Sequence, residues 1–322
     1  MTTMAIEPTT AGVQSEDKDF GKKLRNETAA CRLAISQFGT TRKLTTEQRD
    51  QAAEVFNATP DKLKAAKKLL DTKAEEYKAV TEVIGAARAL WKSCTHPFPE
   101  PGIRLIRRAK IEEFASQMEG LKMQLNSAVA ALDAKYEALV AQAQTDLGRL
   151  FHSGDYPESI QGEFGIDWDF PSIAAPNYLQ QVSPALYEAQ CKRIEHQFDD
   201  AVTMFEQVST EQLHKMVAHL CEALTGVEDD GKRQGKRKIF KDSAVQNIQE
   251  FFGRFRNLNV RSNSELNTLV DQAEQLLQGV DPKELRKSDW LRDSLATRMQ
   301  EVQTALDGML VEKPGRKFFD EA

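Results

Sequence analysis

Two apolar stripes on either side of a proline-rich break constrain the fold of this chain more than any other feature. The first stripe falls at helical spacing and comprises Leu63, Ala66, Leu70, Ala74, Tyr77, Ile84, Ala87 and Trp91. The second keeps the three-four spacing of a coiled-coil seam and comprises Ile111, Phe114, Met118, Leu121, Leu125, Ala128, Leu132 and Leu139. The break between them is THPFPEPG, residues 95–102, which no helix crosses because proline lacks a backbone N–H and clashes with the preceding turn. Two helices joined by so short a break pack most simply as an antiparallel hairpin.

These stripes predict an all-α protein in which a long antiparallel helical hairpin, a coiled-coil arm, stands on a helical base. The arm would begin at Thr59, where proline follows at the first helical position, and its paired part would reach about Leu132. The base would contain the N-terminal helices and the residues after Ser183. One small β element near residues 164–170 is compatible with the alternating pattern of FGIDWDF.

Helix signals and composition divide the chain into six predicted segments. They are a disordered tail (1–16), N-terminal helices of the base (17–58), the hairpin arm (59–151), an acidic aromatic connecting segment (152–182), the C-terminal helical base (183–312) and a second tail (313–322). Helices are expected over 17–38 and 45–56, and another begins at Ser183-Pro184, with a restart near Ser209. Three shorter helices are expected to begin near Asp242, near Ser262 and after Asp281.

Cysteine usage and hydropathy indicate a cytoplasmic protein. The net charge of −6 disfavours general polyanion binding, although a local basic surface remains compatible with it. The four cysteines stand far apart, as reduced thiols do in a cytoplasmic protein. No run of apolar residues approaches the 18 or more that a membrane-spanning helix needs, and the N-terminal residues lack the pattern of a signal peptide.

The strongest local charge is a basic segment, residues 232–261, with nine basic and two acidic residues. Phenylalanines lie between the charges, and this pattern is compatible with phosphate contacts and stacking on bases. The candidate nucleic-acid contacts are Lys232, Arg233, Lys236, Arg237, Lys238, Lys241, Arg254 and Arg256. We favour the simpler interpretation, in which the phenylalanines are core and the basic side chains face solvent. A third interpretation pairs the basic segment with the acidic residues of 152–182, within one chain or between subunits.

No catalytic, cofactor-binding or metal site is expected. Residues 231–237 resemble a phosphate-binding loop but have one residue too few between the glycines and Arg237 in place of Ser or Thr. His214 and His219 are five residues apart, which suits one metal-binding helix face poorly. The carboxylates of 158–169 have no adjacent nucleophile or histidine for acid–base chemistry.

Three aromatic side chains are candidate contacts for a protein partner. They are Phe98 in the proline-rich break and Trp168 and Phe170 in the acidic aromatic segment. The alternative for Trp168 and Phe170 is that they anchor their segment to the helical base.

Several phrases, read in order, resemble an uncharacterised helical family of phages, plasmids and other mobile elements. They are the long helical arm, DYP at 155–157, the aromatic segment 164–171, KIFKDS at 238–243, NIQE at 247–250 and LNV at 258–260. The resemblance spans about residues 20–312. Members of the family are often encoded beside a MoxR-type AAA+ ATPase and a von Willebrand factor A protein. The resemblance implies a non-catalytic partner of such an ATPase, or an accessory factor in phage DNA metabolism or counter-defence, and it supplies no catalytic residues.

Together these patterns predict a non-enzymatic assembly or adaptor protein, with an AAA+ ATPase as its suggested partner. Self-association as a homo-oligomer is expected, because an exposed two-helix arm keeps apolar edges that a second copy could cover. The alternative is a nucleic-acid-binding accessory protein that uses the basic segment. An enzyme acting through the acidic aromatic segment is a third class of function.

Overall fold

The computed structural model describes residues 20–226 and 240–312, and within them the protein is mostly helical. Its helices are α1 (residues 20–27), α2 (Thr46–Val55), α3 (Glu75–Cys94), α4 (Ile111–Leu147), α5 (Asn177–Val182), α6 (Pro184–Thr225), α7 (Asp242–Leu258), α8 (Ser264–Leu277), α9 (Pro282–Lys287) and α10 (Asp289–Glu312). Its strands are β1 (Thr28–Ser36), β2 (Thr41–Lys43), β3 (Ala66–Lys68), β4 (Thr95–Pro97), β5 (Arg104–Arg107) and β6 (Gly165–Asp169). The two predicted tails and the loop 227–237 lie outside the described residues.

The predicted helical character is confirmed, but the β structure exceeds the one small element that the prediction allowed, because a small antiparallel sheet is built into the helical fold. Four strands lie in the order β4-β5-β1-β6, and β2 and β3 form a separate antiparallel pair. The predicted β element near residues 164–170 is confirmed as β6. It pairs antiparallel with β1, with Arg32 opposite Asp169 and Ser36 opposite Gly165. One short strand cannot satisfy its own backbone hydrogen bonds, and β1 supplies the groups that β6 needs.

The predicted helix over 17–38 is wrong beyond residue 27. Thr28 ends α1, and its hydroxyl donates to the Leu24 carbonyl at 2.7 Å. From there the chain continues as β1, in which Cys31, Leu33 and Ile35 alternate with more exposed residues. This spacing has the period of two that is typical of a strand. The helical interpretation depended on the wider spacing from Leu24 to Phe38.

The two-helix packing is confirmed, but the first helix of the pair is shorter than predicted. Pro60–Lys62 forms only a turn of 3-10 helix, Ala66–Lys68 is β3, and α3 begins at Glu75. The helices are interrupted at the proline-rich break, and α3 packs against α4. Lys135 Nζ in α4 lies 3.0 Å from Glu76 Oε1 at the start of α3, as an antiparallel pair requires. At 1.5 Å per residue, α3 is about 30 Å long and α4 about 55 Å.

The described residues form two compact units. The first comprises the described parts of Met1–Ala30, Thr95–Arg108 and Ser172–Ala322, and the second comprises Cys31–Cys94 and Ala109–Pro171. The second unit contains the α3–α4 pair, and the apolar stripes of both helices are buried in it. Its buried side chains include Tyr77, Ile84, Ala87, Trp91, Phe114, Met118, Leu125 and Leu132.

The first unit has two apolar cores along α6. The larger lies among α6, α7, α8, α9 and α10, and the smaller lies where α6 meets α1 and the β4–β5 hairpin. The predicted start of α6 is confirmed, since the Ser183 hydroxyl accepts from Leu186 N and proline follows it. The predicted restart near Ser209 is wrong. Thr210 Oγ1 donates to the Glu206 carbonyl inside a continuous helix of 42 residues.

The last three predicted helices are present, with two changes at their ends. The predicted start near Asp242 is confirmed by α7. The cap of α8 is Asn263, whose side chain accepts from Leu266 N, rather than Ser262. The last predicted helix divides at Ser288 into α9 and α10.

None of the helices within residues 20–226 and 240–312 has both the length and the apolar character that crossing a bilayer requires.

Candidate functional site

The structure places only part of the predicted basic segment. Lys232, Arg233, Lys236, Arg237 and Lys238 lie outside the described residues, whereas Lys241, Arg254 and Arg256 are exposed at or within α7. Arg256 pairs with Glu274, and its Nη2 lies 3.4 Å from Asp271 Oδ1. These two carboxylates balance the charge of Arg256, so it adds little positive potential to the surface.

The phenylalanines of the basic segment belong to the core. Phe240, Phe251, Phe252 and Phe255 are at most 4% exposed and pack in the larger core of the first unit. Phe255 stacks between Phe205 and Phe251, with ring centroids 5.8 and 5.9 Å away. These rings are therefore unavailable for stacking on bases. Any contact of this segment with nucleic acid would use its charged side chains alone.

A cleft of about 720 Å³ lies between α7 and α8, next to Arg256. Its apolar floor is Phe252 and Leu277, and the rest of its lining is polar: Gln249, Arg256, Asp271, Glu274, Gln275, Gln278 and Gly279. The volume matches that of small-molecule sites. The Arg256 ion pairs occupy its charged groups, so the cleft presents mainly glutamine side chains to a ligand.

The three candidate docking aromatics have different environments. Phe98 is 6% exposed and meets Phe198 edge-on, with ring centroids 5.5 Å apart, so it is part of the smaller core of the first unit. Trp168 on β6 is half-buried, and Lys122 Nζ lies 6.0 Å from the centroid of its ring. Phe170 is 38% exposed. Of the three, Phe170 has the most surface available to a partner.

Three of the five acidic residues of the connecting segment are held by basic partners within the second unit. Arg32 Nε donates to Asp169 Oδ1 at 3.0 Å, Lys122 Nζ lies 2.7 Å from Asp167 Oδ1, and Lys67 Nζ lies 2.6 Å from Asp155 Oδ2. The Arg32 guanidinium holds the pKa of Asp169 below its usual range by hydrogen bonding and charge. A paired carboxylate of depressed pKa stays ionised, which suits a structural ion pair better than a proton-transfer group.

Asp133 of α4 fixes the neighbouring loop in the same way. Its carboxylate accepts from Ile160 N and Ser159 Oγ, both at 2.9 Å, and from Gln161 Nε2 at 2.8 Å. These hydrogen bonds, led by the one from Ile160 N, lower the pKa of Asp133. The loop therefore has a fixed position against α4.

An exposed apolar stripe on α5 and the start of α6 was not predicted from the sequence. Its members are Tyr178, Val182 and Leu186, which are 65%, 75% and 59% exposed. They recur every four residues, and this spacing is the signal that the sequence offers. In the structure Tyr178 and Val182 lie one turn apart on α5, whereas Leu186 lies in the first turn of α6, beyond the extended residue Ser183. The sequence pattern assigns Leu186 to an apolar stripe that also contains Ile194 and Phe198. Ile194 and Phe198 are buried, whereas Leu186 is exposed.

In the described parts of the chain, no three histidine, cysteine or acidic side chains lie close enough together to hold a metal ion. His214, one of the two histidines considered as ligands, has its Nε2 2.7 Å from Asp307 Oδ1 and links α6 to α10.

Comparison with known proteins gave no match: no family model, no curated protein and no solved structure is significantly similar to this chain.

Proposed function

We propose that the chain is a non-enzymatic assembly or adaptor protein that docks another protein. The observation that supports this role is the exposed stripe of Tyr178, Val182 and Leu186 in the first unit. Tyr178 and Val182 on α5 and Leu186 at the start of α6 are large apolar side chains. Covering them with a partner removes their contact with water, which is favourable by about 25 cal/mol per Å² buried.

The family resemblance suggests the partner and the setting. An AAA+ ATPase of a phage or mobile-element system, in the cytoplasm of a bacterial host, is the proposed partner. Self-association into a homo-oligomer, and a coiled-coil contact through the α3–α4 pair, belong to the same proposal. The packing of α3 on α4 supports the coiled-coil element of it.

The stripe is tested by adding charge to it. We expect Val182→Glu with Leu186→Glu to lose retention of a purified MoxR-type AAA+ ATPase from the genome that encodes this chain, or to lose self-association, because a buried unpaired carboxylate opposes docking. Pull-down with that ATPase and sedimentation velocity provide the measurements. The matched control is Gln180→Glu with Gln181→Glu, which adds the same charge at exposed positions of α5.

Two results would count against the adaptor role. One is a parent protein that sediments strictly as a monomer and also fails to retain the ATPase. The other is a stripe variant that behaves like its control in both measurements.

The second candidate function is a nucleic-acid-binding accessory protein that uses the basic segment. Its supporting observations are the nine basic residues of 232–261 and the exposure of Lys241 and Arg254.

This function is tested with a variant that combines Lys236→Glu, Arg237→Glu, Lys238→Glu and Lys241→Glu. If the segment is the contact, we expect the variant to lose retention of DNA or RNA. Its helicity and melting should stay nearly unchanged, because exposed charge changes alter stability by only about 0.5 kcal/mol each. Gel shift at low salt and circular dichroism measure the two effects. A parent and variant that behave alike in the gel shift would exclude this segment as the contact.

A further inference from the structure

Three basic stretches that are distant in sequence surround one core in the first unit. They are residues 20–30, 95–108 and 254–263, which contain nine basic residues and two acidic ones, Glu27 and Glu100. We call the basic junction the eight basic residues left when Arg256, which has two acidic partners in α8, is set aside. Its members are Lys22, Lys23, Arg25, Arg104, Arg107, Arg108, Arg254 and Arg261. One of the eight, Arg107, is paired with Glu27.

The shared core fixes these stretches side by side. Leu24, Leu105 and Val260 all lie in the smaller core of the first unit, and they are at most 2% exposed. Basic residues precede or follow each of them in the sequence: Lys23 and Arg25, Arg104, and Arg261. When a side chain is buried in a core, the side chains next to it in the sequence point in other directions. The basic side chains beside Leu24, Leu105 and Val260 therefore lie around the edge of the smaller core.

Arg107 and Arg108 join the stretches directly. Arg107 Nη2 donates to the Asn259 carbonyl at 3.0 Å, and its Nη1 lies 3.5 Å from Glu27 Oε2. Arg108 Nε donates to the Thr28 carbonyl at 3.1 Å. The end of β5 therefore meets the C-terminal end of α1 and the α7–α8 connection at one place.

The backbone of that connection presents Arg261 outward. Arg261 has φ +62°, a conformation uncommon for residues other than glycine, and its N–H donates to Asn259 Oδ1 at 2.8 Å. The same Asn259 accepts from Arg107, so the turn that exposes Arg261 is tied to the junction.

Two further acidic residues near this core, Asp199 and Asp200, belong to α6. Asp199 lies against Gly21, which is near the start of α1, whereas Glu27 is at the end of that helix. Asp200 Oδ2 is 3.0 Å from His196 Nδ1. Glu27 is already paired with Arg107. A surface of strong positive charge on a chain of net charge −6 is a local feature that the overall composition conceals.

We propose that the basic junction binds the phosphate backbone of nucleic acid without reading its bases. A protein partner would need apolar anchors at the centre of the contact, yet none of the large apolar side chains exposed in the described structure comes from these three stretches. Spaced Lys and Arg side chains alone suffice for phosphates. The buried rings of Phe98 and Phe255 leave no stacking platform here. This activity is independent of the adaptor role and uses residues outside the segment 232–241.

The test neutralises exposed members of the junction that lie on two of its stretches. The test variant combines Lys23→Gln, Arg254→Gln and Arg261→Asn. Asparagine replaces Arg261 because it tolerates the positive φ of that position. Fluorescence anisotropy with a labelled 30-base-pair DNA duplex is measured from 50 to 200 mM salt. We expect the parent to bind at 50 mM salt and to lose most affinity by 200 mM. The variant should bind about tenfold more weakly or worse at 50 mM, with a salt slope shallower by about 0.9 for each phosphate that it no longer neutralises.

The matched control removes the same amount of charge elsewhere in the first unit. Lys215→Gln, Lys287→Gln and Arg298→Gln change exposed residues of α6, α9 and α10, and we expect this variant to keep the parent's affinity and salt slope. Equal weakening in the two variants would overturn the proposal, since it would show that net charge alone decides binding. Absence of binding by the parent at 50 mM salt would overturn it as well.

Further probes separate the sources of the anionic ligand. Single-stranded DNA and duplex RNA of the same length should bind within a few-fold of duplex DNA, because all three present phosphates. Polyglutamate at equal charge should compete poorly, and equal competition would contradict a phosphate-backbone site. If the four-residue variant at 236–241 loses binding while the junction variant keeps it, residues 236–241 form the site and the junction does not.

Discussion

Replacement of Asp155 by alanine is expected to destabilise the second unit by about 3–5 kcal/mol, the usual cost of leaving a buried charge without its partner. Lys67 on β3 has a side chain only 4% exposed, and its Nζ lies 2.6 Å from both Asp155 Oδ2 and the Leu150 carbonyl oxygen. After the substitution the ammonium group would keep the carbonyl but lose its counter-charge. Urea unfolding of the parent and the variant measures the change in the free energy of unfolding.

A double replacement separates the effect of the ion pair from the effect of packing. Lys67→Met with Asp155→Leu removes both charges and keeps apolar volume, and we expect it to recover most of the stability that Asp155→Ala removes. The control is Asp167→Ala, because Asp167 pairs with Lys122, whose side chain is 38% exposed, and exposed pairs contribute about 0–1 kcal/mol. An Asp155→Ala variant as stable as the Asp167→Ala control would refute the expectation.

The elements predicted well from the sequence are those determined by residues close together in the chain. The expected helix over 45–56 is present as α2, where Thr45 and Gln48 form a reciprocal capping box, and Ser183 followed by proline starts α6 as expected. The proline-rich break does end a helix. These signals act over a few residues, so their physical cause is visible in the sequence itself.

The elements that were missed depend on contacts between residues far apart in the chain. Arg32 and Asp169 are 137 residues apart, and β1 is a strand because β6 lies beside it. Tertiary pairing of this kind overrides local helix spacing. Likewise, the break at 95–102 contains strand β4 and the turn that leads to β5, and His96 pairs with Leu105 across this hairpin. Proline content alone does not reveal that pairing.

The candidate surfaces differ in the same way. The stripe of Tyr178, Val182 and Leu186 is visible as a four-residue spacing, but whether a helix face is buried or exposed depends on what packs against it. The basic junction is not visible in the sequence, because Arg107 and Arg108 join stretches separated by about 80 and 150 residues. The basic segment is visible because its charges are consecutive, and that pattern alone does not indicate that Arg256 has acidic partners.

Acidification is expected to weaken the first unit through His96 on β4. The ring is 1% exposed, packs edge-on against Phe205 at 4.9 Å between centroids, and has no hydrogen-bond partner for either nitrogen among the described residues. Burial, followed by the positive charges of Arg107 and Arg104, lowers the pKa of His96 to about 3. The imidazole therefore stays neutral in the folded protein at pH values where an unfolded histidine takes up a proton.

The sign of the pH dependence follows from that difference. Below pH 6.5, the ordinary pKa of histidine, the unfolded chain binds one more proton than the folded one at this site. Stability should thus fall by about 1.4 kcal/mol for each pH unit below that value, and continue to fall towards the folded pKa of about 3. Between pH 6.5 and 5 the contribution is about 2 kcal/mol, and this interval lies above the range in which carboxylates titrate.

Urea midpoints measured from pH 7.5 to 5 at constant ionic strength test this account of His96. We expect His96→Phe, which keeps an aromatic ring against Phe205, to have a flatter stability profile than the parent across this range. His96→Gln replaces the titratable ring with an uncharged amide that takes up no proton in this range, so its profile should flatten equally even if its stability at neutral pH is lower. His219→Gln, at an exposed position of α6, should leave the parent's slope unchanged. A parent slope that persists in both His96 variants would show that another group takes up the proton and that the buried ring does not cause the acid sensitivity.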